Sequence, residues 1–251
     1  MNSLIFSVIT VTYNAANVLE DTIKSVINQS YKKIEYIIID GDSSDGTKGI
    51  IEKYKDKVAY WISEPDKGLY DAMNKGLKKT TGDYVWFLNA GDSLKHENTL
   101  SELTTLAIQN NVPDILYGET DLIDSCRLVI GRRRLQPLRH LSWKSFRMGM
   151  LVSHQAFIVK RKLAPEYDLQ YRFSADFDWC IKCMKQAKSI LNSKLILVDY
   201  LYEGMTTSNR KASLRERYAI MCKFYGKFVT LILHVWFAVR FYWAKCFTGK
   251  E

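Results

Sequence analysis

The sequence predicts an α/β protein with a doubly wound, mainly parallel sheet, a mixed extension after it, and a helical tail at the C-terminus. Three observations carry the prediction. From residue 5 to about residue 110, short apolar runs alternate with segments of helical periodicity. The runs lack polar alternation, which suits strands covered by helices on both faces. From residue 210 onward the chain is at once basic and apolar, a composition that suits an amphipathic helix.

Residues 5–11 (IFSVITV) read as the first strand, ended by Thr12, Tyr13 and Asn14. Val18, Leu19, Thr22, Ile23, Val26 and Ile27 follow at helical spacing, and Asn17 and Glu20 are placed to form a capping pair. Residues 34–39 (IEYIII) make a second strand that ends at Asp40. The turn-forming run GDSSDGT then leads into a helix over about 48–55. A strand over 58–62, a loop over 64–68 and a helix over 69–79 repeat the cycle. Residues 84–88 (YVWFL) form the next strand, closed by Asn89-Ala90-Gly91-Asp92, with a helix over about 97–110. Such alternation implies right-handed βαβ crossovers.

After residue 112 the pattern changes. Residues 114–117, 126–130, 154–160 and 194–200 read as strands, 136–150 as irregular chain, and 174–186 as a helix with Phe177, Cys180, Ile181 and Met184 on one face. The five cysteines are irregularly spaced, which favours reduced thiols. Cys180 and Cys183 form a lone C-x-x-C, read as buried thiols on a helix rather than metal ligands. Met1–Val11 has no basic stretch before its apolar run, so no signal peptide is expected.

The strand ends carry the chemistry. In open α/β sheets, ligands bind beyond the carboxyl ends of the strands. Here those ends present Thr12 and Tyr13, then Asp40 and Asp42, then Asn89 and Asp92. A single Asp after a strand is ordinarily a turn former; several such ends in register suggest a site. Asp92 is the candidate ligand for a hard cation such as Mg²⁺ or Mn²⁺, which neutralises phosphate oxygens. Gly91 beside it permits close approach of backbone and phosphate. Asp40 can accept hydrogen bonds from a base or ribose, and Tyr13 can stack on a base face. A dinucleotide-binding dehydrogenase is excluded, because TYNAAN replaces the glycine-rich turn that it needs, and no Walker lysine loop is present.

On these residues the chain resembles the family 2 glycosyltransferases of bacterial polysaccharide synthesis, which have the GT-A fold. The stretches are SVITVTYNAANVLEDTIKSVINQSY, YIIIDGDSSDGT, SEPDKGLYDAMNKGL and GDYVWFLNAGD, which span most of residues 5–92. The resemblance implies an inverting transfer from a nucleotide diphosphate-sugar, with a UDP-sugar favoured, to a hydroxyl of a saccharide or lipid-linked acceptor. It puts Thr12, Tyr13 and Asp40 around the base, with Asp42 and Asn89 near them. Lys67, Asp71 and Asn74 would hold the nucleotide-sugar. Asn89-Ala90-Gly91-Asp92 falls on the D-x-D-like metal motif, with Asn at its first acidic position, which leaves Asp92 as the main protein ligand. In FSADFDW, Asp176 would be the base that takes the acceptor proton, with Asp178 as second choice. His154 and Gln155 resemble a donor- or acceptor-contacting pair. The expected organisation is a GT-A catalytic unit over 1–209, with a nucleotide-sugar half at 1–112 and an acceptor half at 113–209, followed by a basic tail at 210–251.

That tail holds nine Lys/Arg against two Glu, a net +7 of the chain's +9, which leaves +2 for residues 1–209. Its most apolar part, Phe228–Trp243, is interrupted by His234 and Arg240 and is short of the roughly 20 residues that span a bilayer. Lys223, Lys227, Thr230, His234 and Lys245 fall in one sector of a helix, so the tail is expected to lie on the cytoplasmic face of the cell membrane as a peripheral anchor. Packing on the catalytic unit or a second copy is the alternative, and the run Arg132–Arg134 could add to docking. No nucleic-acid partner is expected. Two other classes stay open: a catalytically silent nucleotide-sugar- or membrane-binding subunit, suggested by Asn89, and a nucleotidyltransferase, disfavoured by TYNAAN.

Overall fold

The structure, a computed structural model, describes residues 3–202 and 210–248, with side chains over 3–202 and 211–239. A nine-stranded sheet runs through the body in the order β3-β2-β1-β4-β8-β6-β9-β5, with β7 paired to β6. Its first part is parallel throughout. β1 (Phe6–Thr12) lies between β2 (Ile34–Asp40) and β4 (Tyr84–Phe87), and β3 (Tyr60–Ser63) flanks β2. Every residue of β1 and β4 is buried, which accounts for the absence of alternation in those runs.

The connecting helices are α1 (Leu19–Ile27), α2 (Thr47–Lys53), α3 (Leu69–Lys79) and α4 (Thr99–Gln109). α3 lies so close to the sheet that a Cβ at Gly76 would stand 2.5 Å from Ile9 Cγ2. The expected capping pair of α1 does not form. Glu20 accepts instead from Lys53 Nζ at 2.7 Å and Tyr54 Oη at 2.6 Å, which ties α1 to the end of α2.

Beyond β4 the sheet is mixed. β8 (Phe157–Lys160) runs antiparallel to β4 and to β6 (Ile115–Ile123), β9 (Ile190–Leu201) is parallel to β6, and β7 (Val129–Arg132) folds back on β6. The two-residue β5 (Ser93–Leu94), not anticipated from the sequence, pairs with β9 and binds the chain after Asp92 to the far edge. His154–Ala156 forms a 3₁₀ turn where a strand start was expected, so β8 begins only at Phe157. α5 (Ala175–Gln186) buries Phe177, Trp179, Cys180, Ile181, Cys183 and Met184. Cys180 and Cys183 are free thiols, and burial pushes the pKa of each well above the ordinary value.

The tail is two helices, α6 (Arg210–Tyr225) and α7 (Lys227–Thr248), separated at Gly226, whose φ of +84° is open to glycine. α6 crosses the start of α5. Ser213 Oγ and Ser174 Oγ share a hydrogen bond, and Glu216 accepts from the backbone N–H of Arg172 and Phe173 at 2.8 Å each. On α7, Thr230 is buried, and the His234 ring meets Tyr218 of α6 edge-on at 4.9 Å. Phe228, Leu231, Ile232, Val235, Trp236 and Val239 are exposed. The polar sector at Thr230 and His234 therefore turns toward α6, while an apolar face is left outward. Among the described residues, no helix is long and apolar enough to cross a membrane.

Candidate active site

The loops after β1 and β2 are joined edge to edge. Asn14 N–H donates to Ser43 Oγ at 2.8 Å, Ser44 N–H to Asn14 Oδ1 at 2.9 Å, and Ala15 N–H to Thr47 Oγ1 at 2.9 Å. Asn14 and Asp42 both have positive φ, +46° and +65°, in a region that Asn and Asp tolerate better than most residues. Asp40 is 0% exposed. Its carboxylate accepts from Ser43 N–H, Ser43 Oγ and Ser63 Oγ. It holds the loop in place. Asp42 is exposed and pairs with Lys48 at 2.6 Å. Tyr13 is 65% exposed at the rim, free to stack on a planar ligand. Asp66 closes against both: a Cβ on Gly41 would stand 2.5 Å from Asp66 Oδ2 and 3.3 Å from the Tyr13 ring. Asp66 belongs to the SEPDKGLYDAMNKGL stretch, where no local pattern distinguishes it from an ordinary turn residue.

The chain past β4 continues beside β1, with Leu88 N–H donating to Ile9 O and Ala90 N–H to Val11 O. Thr12 Oγ1 and Asn89 Oδ1 at this level are buried and have no hydrogen-bond partner. Gly91 has a φ of +96°, and a Cβ there would stand 2.8 Å from Leu201 Cδ2. A side chain, where a phosphate was expected, makes the close approach. Asp92 is 3% exposed. Its oxygens accept from Gln155 Nε2 and Leu201 N–H at 3.1 Å each. Burial is the main cause that pushes its carboxyl up to about 7, against the lowering effect of these donors and of Arg127. Arg127 also donates to Gly91 O at 2.7 Å and steadies the turn.

β1 lies between β2 and β4, so the strands that lead to Asp40 and Asp92 are roughly 10 Å apart. Each carboxylate has its own donors, and the two do not meet at one point. Among the described residues, no group of three or more His, Cys, Asp or Glu is placed to hold a metal. Asp92 with the orphaned Asn89 Oδ1 fits a hard cation whose remaining ligands are phosphate oxygens.

A second cluster faces this edge. Tyr70 Oη, on α3, donates to Asp176 Oδ1 at 3.1 Å, and His154 Nδ1 lies 3.6 Å from Asp176 Oδ2. Burial lowers the His154 pKa against the pull of Asp176, and its Nε2 is buried without a partner. Asp178 does not join the cluster. It is 0% exposed and pairs with Lys182 and with Lys223 of α6, so it is an ionic rivet between helices and not a spare base. Asn74 is engaged within the protein. Its amide donates to Tyr167 O at 3.0 Å and accepts from Tyr167 N–H at 2.7 Å, which uses both ends in a clamp. Asp71 accepts from the Lys67 backbone N–H at 3.0 Å and fixes the turn into α3, while Lys67 itself is exposed. Gln155 serves as the partner that orients Asp92. Tyr200, Arg133 and Arg217, none of them assigned to the site from the sequence, lie near the cluster. They are scattered along the chain and match none of the stretches that carry the resemblance.

This arrangement on a GT-A sheet defines a sugar transferase. The profile described as Glycosyl transferase family 2 matches residues 7–164. An uncharacterized glycosyltransferase of Mycobacterium tuberculosis (strain CDC 1551 / Oshkosh) is 33% identical over 181 residues, 70% of this chain and 67% of its own. A PGL/p-HBAD biosynthesis glycosyltransferase of Mycobacterium bovis (strain BCG / Pasteur 1173P2) is 30% identical over 189 residues, 73% of this chain and 71% of its own. Among solved structures, S. aureus TarS 1–349 in complex with UDP-GlcNAc matches with a TM-score of 0.68 at 21% identity, covering 87% of this chain. This chain spans 64% of that structure, less than two thirds. The mannosyltransferase PcManGT of Pyrobaculum calidifontis, in complex with GDP-Man and Mn²⁺, matches with a TM-score of 0.64 at 16% identity, covering 88% of this chain and 64% of its own. The chain belongs to glycosyl transferase family 2.

Proposed function

We propose that the chain is an inverting, metal-assisted transferase that moves a sugar from a nucleotide diphosphate-sugar to a hydroxyl of a saccharide or lipid-linked acceptor. The observation that carries the reading is the Asp176 carboxylate, held by Tyr70 and His154 on the first turn of α5. In this reading Asp176 takes the proton of the acceptor hydroxyl. The acceptor oxygen forms a bond to the anomeric carbon as the bond from that carbon to phosphate breaks, and the electron pair leaves with the nucleoside diphosphate. Attack from the face opposite the leaving group inverts the centre. The phenol of Tyr70 holds the carboxylate in place, and His154 stays neutral near pH 7. Tyr13 stacks on the base, and Asp66 and Asp42 stand at its edge. Asp92 and Asn89 would hold Mg²⁺ or Mn²⁺, which supplies positive charge to the diphosphate oxygens. A UDP-sugar is the favoured donor, with the UDP-GlcNAc complex of the TarS fold-mate in support and GDP-mannose as the comparison.

Asp176→Asn is expected to lower kcat by about 10²–10⁴-fold, the usual contribution of a positioned base, with donor affinity retained. Turnover assays against UDP-GlcNAc and GDP-mannose panels measure this. An Asp176→Asn enzyme as fast as the parent would remove the base assignment.

The exposed apolar face of α7 and the basic tail support peripheral docking on an anionic membrane surface, which would bring a lipid-linked acceptor to the cleft.

A further inference from the structure

Two guanidinium groups stand beside the Asp176 cluster. Arg127 and Arg132 pair with Asp21, Glu119 and Asp121. Arg133 and Arg217 make no ion pair among the described residues. Between Ser125 and Pro165 the chain carries ten Lys/Arg and no acid, so no counter-charge is near Arg133 in sequence either. Arg133 lines a narrow hollow with Gly118, Thr120 and Ser153, and its described hydrogen bond is to Met150 O at 3.0 Å. Arg217 follows Glu216 on the face of α6 that is fixed against α5 by Ser213, Glu216 and Lys223. Its Nε is buried and has no hydrogen-bond partner among the described residues.

The two cations flank the Asp176 cluster: Arg133 lines the hollow beside Ser153, next to His154, and Arg217 lies one turn beyond Ser213, which meets Ser174 at the start of α5. Arg133 feels the charges of Arg217, Asp176 and Tyr200, and burial is the main cause that lowers its pKa. Arg217 also bears on Tyr70, and Tyr200 on its other side feels Asp92. Ser153, beside Arg133, bonds to Gln155, which in turn holds Asp92, so Arg133 is linked to the strand-end carboxylate while both arginines stand near the base. Two guanidinium groups near one carboxylate leave a net positive charge, and like charges in a medium of low dielectric repel. Such an arrangement is relieved by an anion from outside, and the planar guanidinium fork matches phosphate. The strand-end motif itself offers Asn89 where a second acid would strengthen a metal site, so charge on the departing diphosphate calls for another source of neutralisation.

We propose that Arg133 and Arg217 form an anion clamp for the diphosphate of the donor, closing on it as the sugar–phosphate bond breaks. The clamp rests on the transferase reading above. It makes α6 part of the active site, with the ionic rivet at Asp178 and the Glu216 contacts setting the position of Arg217.

Calorimetric titration of the full chain with UDP, GDP and dTDP, and with the matching nucleosides, in Mn²⁺ and in EDTA, tests it. The diphosphate that binds the parent best should bind Arg133→Met and Arg217→Met about 10–100-fold more weakly, with the nucleoside unchanged. Arg→Lys variants, which keep charge but lose the fork, should fall between. The ligand-free Arg133→Met chain should melt no lower than the parent, because a desolvated, unpaired charge is removed. Unchanged diphosphate affinity overturns the clamp, whether melting falls (a structural arginine) or the acceptor KM alone rises (an acceptor subsite). A parent chain that binds none of the three diphosphates overturns the transferase reading itself, and the clamp with it.

Discussion

Asp92 and Asp178 are both enclosed carboxylates, yet their surroundings give them opposite tasks. Asp178 has lysines on both sides and pairs with each of them. Asp92 has neutral donors and a desolvated setting that pushes it up to about 7, against about 4 in an unfolded chain. Between those values the folded, metal-free chain holds a proton that the unfolded chain has lost. Its contribution to stability is therefore complete below about pH 4 and lost as pH rises through 7. Urea melts of the metal-free protein at pH 5 and pH 8 should show that loss, on the order of 3 kcal/mol, and Asp92→Asn should remove it. An Asp92→Asn chain with the same pH slope as the parent would mean that another group titrates. Asp178→Asn should instead lower stability by about 1–3 kcal/mol and lower kcat far less than Asp176→Asn does, only through the seating of α6.

At the scale of elements, α3 and α7 make distinct predictions. α3 is packed on β1 through Gly76, and the 2.5 Å separation from Ile9 Cγ2 leaves no room for a methyl group. Gly76→Ala should destabilise by about 1–3 kcal/mol through overpacking, despite the better helix propensity of alanine, as measured by thermal melting. α7 presents Phe228, Leu231, Ile232, Val235, Trp236 and Val239 outward. If this face docks on a bilayer, Trp236 emission should shift to the blue with vesicles of anionic lipid and much less with zwitterionic ones. Val235→Glu should abolish the shift and vesicle flotation without lowering turnover of a soluble acceptor. A concentration-dependent dimer in sedimentation, with no vesicle binding, would instead assign the face to a second copy of the chain.

For the molecule as a whole, the nucleotide half was legible because its strands are continuous apolar runs and its loops are dense in turn formers, so local signals and global fold agree. The helix over 69–79 coincides with α3 to the residue. The acceptor half was less legible. β9 extends from Ile190 to Leu201, beyond the expected 194–200, because its pairing with β6 supplies hydrogen bonds that no local pattern announces. The same holds for the site. Asp176, Asp92, Tyr13, His154 and Gln155 were visible as residue types in telling positions. That Asp40 and Asn74 make internal hydrogen bonds, and that Tyr70 meets Asp176, was not.

By itself the sequence determined the alternation of strands and helices, the polar strand ends beyond the sheet, the family, and the basic, apolar character of the tail. All of these follow from short-range periodicity and composition. Tertiary structure alone decided which carboxylates are free and which are tied, that Tyr70 and His154 meet Asp176, and that α6 carries Arg217 to the same place. It also turned the apolar face of α7 outward. Those outcomes depend on contacts between residues tens to hundreds of positions apart, such as Tyr70 with Asp176 at a separation of 106, and burial and partnership at that range are set by packing rather than by local pattern.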